Sequence, residues 1–192
     1  TIPLPTADAS PPTFPFVDAT GQARGFRFVP FAPRFQMALD PERGIWFGMP
    51  SEYRFYLQSP AGDTARMVER PYRPVAIGRA ELADALEGLD QFAQQGGRVD
   101  RSLIPTQRPA YEAMFVSDSG YVWTLTASAS GEEGHNFDVF DAEGRYLGSV
   151  WSDVALSTRL RPIVRGDLVY AVAVDPLEVP YLVRMRISTA GH

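Results

Sequence analysis

The chain has 192 residues, 45% hydrophobic and 21% charged, which allows one sizeable domain of ordinary globular composition. Its net charge of −5 is spread without runs, and all 18 cations are arginine, so the clustered basic face that nucleic acid requires is missing. The absence of cysteine excludes disulfides, thiol catalysis and thiolate metal sites.

No stretch approaches the roughly 18 consecutive apolar residues of a membrane-spanning helix. The chain begins at Thr1 without methionine, so an export or anchoring segment upstream stays open. Residues 1–33 carry seven prolines, Pro3, Pro5, Pro11, Pro12, Pro15, Pro30 and Pro33, which predict an extended N-terminal arm. Ile2, Leu4, Phe14, Phe16 and Val17 would anchor that arm along a partner, and Phe26–Val29 reads as a short strand after a turn at Gly21.

From Phe35 onward the apolar residues alternate with period two, broken by Gly, Asp and Pro. This predicts strands at 34–39, 44–49, 53–58 and 64–70, with a hairpin turn at Pro60–Asp63. Over 79–95 the period changes to that of a helix. Leu82, Ala85, Leu86, Leu89 and Phe92 share a stripe opposite Glu81, Asp84, Glu87 and Asp90, and Gly96–Gly97 ends it. The expected role of the stripe is to pack on the β body, with a partner groove as the alternative. A second set of strands follows at 110–117, 121–127, 136–141 and 145–150, and a third, incomplete set at 160–164, 168–174 and 181–187.

These sets repeat one phrase. Gly44-Ile-Trp46, Gly120-Tyr-Val-Trp123 and Gly166-Asp-Leu-Val-Tyr170 open corresponding strands, and Asp-containing turns precede the first two. Repetition of a multi-strand unit points to a repeat architecture. The phrases Asp118-Ser-Gly-Tyr-Val-Trp123, Phe137-Asp-Val-Phe-Asp-Ala-Glu-Gly-Arg-Tyr-Leu-Gly148 and Gly166-Asp-Leu-Val-Tyr170 resemble blades of six-bladed β-propellers of bacterial envelopes, similar to the NHL and TolB-like families. Arg70-Pro-Tyr-Arg-Pro-Val75, leading into a helix, is also like the inter-blade insertion of that group. The resemblance spans about residues 26–188.

It implies an all-β, partial β-propeller-like array of antiparallel four-stranded sheets with one inserted amphipathic helix, built as a single domain over 34–192. A closed six-bladed ring needs about twice the sheet present here. Two blades and most of a third are visible, so uncovered sheets favour a protein assembly.

Chemistry is sparse. His135 and His192 are too few for a histidine metal cage, although Glu132 and Glu133 flank His135 in one loop. No nucleophile elbow, Walker loop or dinucleotide fingerprint occurs. Asp118, Asn136 and Asp138 are the residues nominated for an axial metal, with His135 beside them. Asp118 and Asp141 stand at turns, where a carboxylate bonds nearby backbone amides instead. Trp46 and Trp123 are expected in the core. Trp151, with Arg159 and Arg161 nearby, has the composition of an interface hot spot, and Phe14 and Phe16 join it from the arm.

The expectation is a non-enzymatic scaffold or interaction subunit without a cofactor. Its partners would be protein subunits of a larger complex, for example a respiratory or photosynthetic assembly. It would sit on the periplasmic or another extracytoplasmic face, peripheral to the membrane. A lactonase-like metal-dependent hydrolase and a peptide- or glycan-binding module are the alternatives.

Overall fold

The computed structural model describes residues 10–18, 20–127, 134–157, 160–177 and 179–188. Its first two strands, β1 (Thr13–Val17) and β2 (Ala23–Phe28), pair antiparallel. Their turn is built by Asp18, whose carboxylate accepts the backbone N–H groups of Thr20 at 2.9 Å and Gln22 at 3.0 Å. The Thr20 hydroxyl, then Arg24, then those amides hold the Asp18 carboxyl down at about 2. The expected extended arm is therefore corrected over 13–28, which is a folded hairpin.

Strands β3 (Gln36–Asp40), β4 (Gly44–Gly48), β5 (Arg54–Gln58) and β6 (Thr64–Glu69) make the first four-stranded sheet in chain order. Helix α1 (Arg79–Gln94) follows, and Gly96, at φ 103°, takes the chain out of it. The second sheet comprises β7 (Ala113–Val116), β8 (Val122–Thr126), β9 (His135–Phe140) and β10 (Tyr146–Ser152). The third has β11 (Ile163–Arg165), β12 (Leu168–Val174) and β13 (Pro180–Arg186). The all-β, propeller-like arrangement with one helix is thus present, with strands close to the expected spans. β7 starts later than expected because the Ala110 N–H is drawn to Pro50 O, in the turn after β4, at 2.8 Å.

The sheets stack face to face. Ala38, Trp46, Phe55 and Leu57 of the first sheet meet Met114, Val122 and Phe140 of the second in one core. Phe115, Trp123, Phe137 and Val139 on the opposite face of the second sheet meet Val164, Ala171 and Ala173 of the third in another. Each sheet so presents one face forward and one back, as blades do. The innermost strands approach along one line: Asp118 N bonds Val164 O at 3.2 Å, and Arg161 reaches Met37 O at 2.6 Å.

The helix departs from expectation. Its stripe packs on the N-terminal hairpin, not on the β body, in a third core of Phe14, Val29, Ala32 and Leu89. Leu86, Phe92, Val99 and Ile104 line the same core. Backbone bonds fasten the two pieces, from Val17 N to Gly96 O at 3.3 Å and from Arg98 N to Pro15 O at 2.9 Å. The two ends of the insertion zip together, Arg108 N donating to Val75 O at 2.8 Å and Ile77 N to Thr106 O at 3.2 Å. Arg108 then ties Glu81 of the helix to Glu112 of the body.

Candidate functional site

The densest polar chemistry lies between the first two sheets. Thr124 and Asp138 sit on the face of the second sheet that also carries Val122 and Phe140, because alternate residues of a strand share a face. Both are buried. A carboxylate there must be paired and fully hydrogen-bonded to remain charged.

Asp138 meets that demand with four donors. Tyr53 Oη donates at 2.7 Å, Ser149 Oγ at 2.6 Å and Tyr146 Oη at 3.2 Å, and Arg70 completes the set as an ion pair. Thr124 meets Tyr53 Oη at 2.6 Å from the other side, and Tyr53 spends its one proton on Asp138. Burial holds the Tyr53 phenol far above its usual range, with the Asp138 charge adding to it. The Arg70 guanidinium lies 4.1 Å from the Tyr146 ring centroid, so cation–π contact steadies it from that side.

A cleft of about 480 Å³ opens beside this network, lined by Arg70, Tyr72, Arg73, Pro109, Asn136 and Asp138 among others. Asn136 is bound across the strand pair to Thr126 Oγ1 at 2.8 Å. Arg73 is exposed and makes no hydrogen bond or ion pair among the described residues, leaving one free cation at the rim.

The nominated metal ligands do not converge. Asn136 and Asp138 line this cleft, whereas Asp118 lines a separate cavity of about 320 Å³ with Asp40, Glu42 and Arg43. Asp118 bonds Gly166 N at 3.1 Å in the turn of the next unit, so its expected local turn role becomes a link between sheets. The local role does hold for Asp141, which accepts Glu143 N at 2.9 Å and Arg145 N at 2.8 Å. Gly144 in that turn has φ 79°, and a Cβ there would meet Val68 Cγ2 at 2.4 Å, so only glycine suits it. His135 is occupied by Leu156 N, which donates to its Nε2 at 3.0 Å, and burial lowers its pKa. Among the described residues no three His, Asp or Glu side chains stand close enough to hold a metal ion. Glu132 and Glu133 lie outside the described residues.

The nominated interface residues divide. Phe14 is buried in the hairpin–helix core and Phe16 leans on Phe92 at 6.2 Å between centroids, so both serve this chain's own helix. Arg161 is exposed, and its guanidinium also reaches Met37 O of the first sheet at 2.6 Å. Arg159 lies outside the described residues. Trp151 is 50% exposed, as expected, beside a cavity of about 180 Å³ that Val154, Met185 and Ile187 also line. Trp46 and Trp123 are buried in the two inter-sheet cores.

The residues that make the polar network were not nominated, apart from Asp138. Strand parity could have found them: Asp138 shares a face with the core residue Phe140, so it needed partners, and Arg70 precedes the insertion noted above. Comparison with known proteins found no matching family model, no matching curated protein and no matching solved structure.

Proposed function

We propose that this chain is a non-enzymatic scaffold or interaction module, a block of propeller-like sheets that docks protein partners through the sheet faces it leaves open. The observation that carries this reading is the outward face of the third sheet, where Ile163 is 58%, Tyr170 39% and Leu182 83% exposed. Contiguous apolar surface of this kind marks interaction sites. The polar side chains nominated for chemistry support the same reading, because each is engaged in structural bonds. Asp118 holds the Gly166 turn, Asp138 accepts four donors and His135 accepts the Leu156 N–H.

The envelope-type blade phrases extend the proposal to an extracytoplasmic position, peripheral to a membrane. No helix among the described residues is long and apolar enough to cross one. Native mass spectrometry of the protein drawn gently from its own cells, membranes included, tests the reading. A fixed-stoichiometry assembly supports it, and a lone 21.2 kDa species refutes it.

A second reading, a binding module for acidic peptides or glycans, is favoured by the cleft beside Tyr72, Arg73 and Asn136. Titration with such ligands, followed by amide chemical shifts of residues 70–75, separates it from the first.

A further inference from the structure

The three sheets are register-equivalent, and this shows what each open face is built to meet. On the forward face of the first sheet Ala38, Trp46 and Leu57 form one cross-strand row. On the second sheet the same row is Phe115, Trp123 and Val139. On the third it is Ile163, Tyr170 and Arg184. The first two rows are buried at 0–6% exposure because each packs on the sheet that follows. Among the described residues no sheet packs on the third row. Its neighbouring row fits the same pattern: Leu125 and Phe137 are buried, whereas the equivalent pair Val172 and Leu182 faces outward with Leu182 83% exposed.

The backward face of the first sheet is the complementary end. In the second sheet, Met114, Thr124, Asp138 and Ser149 form the row turned toward the sheet before it. The equivalent row of the first sheet is Met37, Phe47, Tyr56 and Met67, with Phe47 stacked on Tyr56 at 5.5 Å and Met67 56% exposed. The polar residues that receive Tyr53 inside the molecule are thus replaced by apolar ones at the end. Leu39, on the same face, is 60% exposed.

We propose that sheets of this same repeat cover both faces, and that a second copy of this chain supplies them. The Tyr170 face of each copy packs on the Phe47–Tyr56 face of the other, so that two head-to-tail contacts close a ring of six sheets. The proposal rests on the scaffold reading and names its partner. Continuity carries it: both open faces continue interfaces that the chain already forms twice within itself. Charge does not oppose it, since Arg184 has no ion pair among the described residues, while Glu69 on the opposite face is already paired with Arg54 at 3.3 Å. Heterologous contacts close into rings when the rotation allows and otherwise run on as filaments. A ring of six lies within the four to eight or so blades that propellers use.

Light scattering on the eluting 192-residue chain, with sedimentation equilibrium, is the test. The expected mass is twice 21.2 kDa. Leu182→Glu, at a position too exposed to disturb folding, and Phe47→Glu on the opposite face should each shift the chain to one copy, with circular dichroism unchanged. Mixing the two variants should restore a two-copy species, because one wild-type pair of faces remains available.

A folded wild-type monomer would overturn the proposal. So would an open-ended polymer, or a dimer that survives Phe47→Glu. An assembly from cells that holds one copy of this chain beside a different protein would overturn the second copy yet keep the scaffold reading. A lone species would remove both.

Discussion

Asp138→Asn tests the polar network directly. The substitution keeps the side chain's shape but removes the charge and replaces one acceptor oxygen with a donor that faces donors. Tyr53 Oη and Arg70 meet one carboxylate oxygen, and Tyr146 Oη and Ser149 Oγ meet the other, so whichever oxygen is replaced, two donors lose their acceptor. Removing one partner of a buried ion pair costs about 3–5 kcal/mol. Arg70 is 30% exposed and can turn to water, and Tyr53 keeps Thr124, so the low end applies, about 3 kcal/mol. For a chain of this size that lowers Tm by about 6–12 °C.

Arg70→Met should cost at least as much, about 3–5 kcal/mol, because it leaves the buried Asp138 carboxylate without its cation, with only three hydroxyl donors to hold it. Urea unfolding followed by tryptophan fluorescence gives both values and that of the double variant. The double variant should fall short of the sum by about 1 kcal/mol or more. An Asp138→Asn cost under about 1 kcal/mol, or strict additivity with Arg70→Met, would show that the network does not work as one unit.

Leu89→Ala should cost about 2–5 kcal/mol within the hairpin–helix core. Hydrogen exchange should then lose protection over 13–28 and 79–94 but keep it in β3–β10, and loss throughout would mean that the cores are one cooperative unit. Trp46→Ala should cost about 3–5 kcal/mol, against about 1 kcal/mol or less for half-exposed Trp151→Ala in the same urea assay. Comparable costs would place Trp151 in the core. His135 has a folded pKa lowered by burial, so the unfolded chain binds its proton more readily. Its contribution is complete above the ordinary histidine value of about 6.5 and is lost as pH falls through the lowered one. His135→Gln, which can still accept the Leu156 N–H, should flatten the decline of urea midpoints below that value, and identical slopes would refute the assignment.

Period-two alternation made the strands legible, and the phrase ending in Trp46, Trp123 or Tyr170 made the repeat legible, because both are local. The turn at Asp141 was readable for the same reason: its carboxylate bonds amides only two and four residues on. What failed was non-local. Proline content suggested an extended arm, but Phe14 and Val29 found an apolar partner in Leu89, far along the chain. Arg161 is a surface cation as read, but its reach to Met37 O, far along the chain, has no local signal. Asp118 and Asp138 looked alike as carboxylates, and only the stacking of sheets gives one to a turn and the other to a buried arginine.

The two inter-sheet contacts are not equal, and the difference bears on how the molecule would associate. The first is fastened by polar bonds that reach across from Tyr53 and Arg70 to Asp138, and by Tyr111 Oη on Arg54 O at 3.0 Å. The second is held mainly by apolar contact, with small Ala171 and Ala173 facing Phe115 and Phe137. It leaves a cavity of about 180 Å³ under Trp151. Among the described residues the third sheet has three strands where the first and second have four. Fewer paired strands lower the free energy of local opening. The face proposed for docking therefore lies on the sheet held least firmly by its own chain, and a partner that covers Tyr170 and Leu182 would stabilise that sheet as it binds.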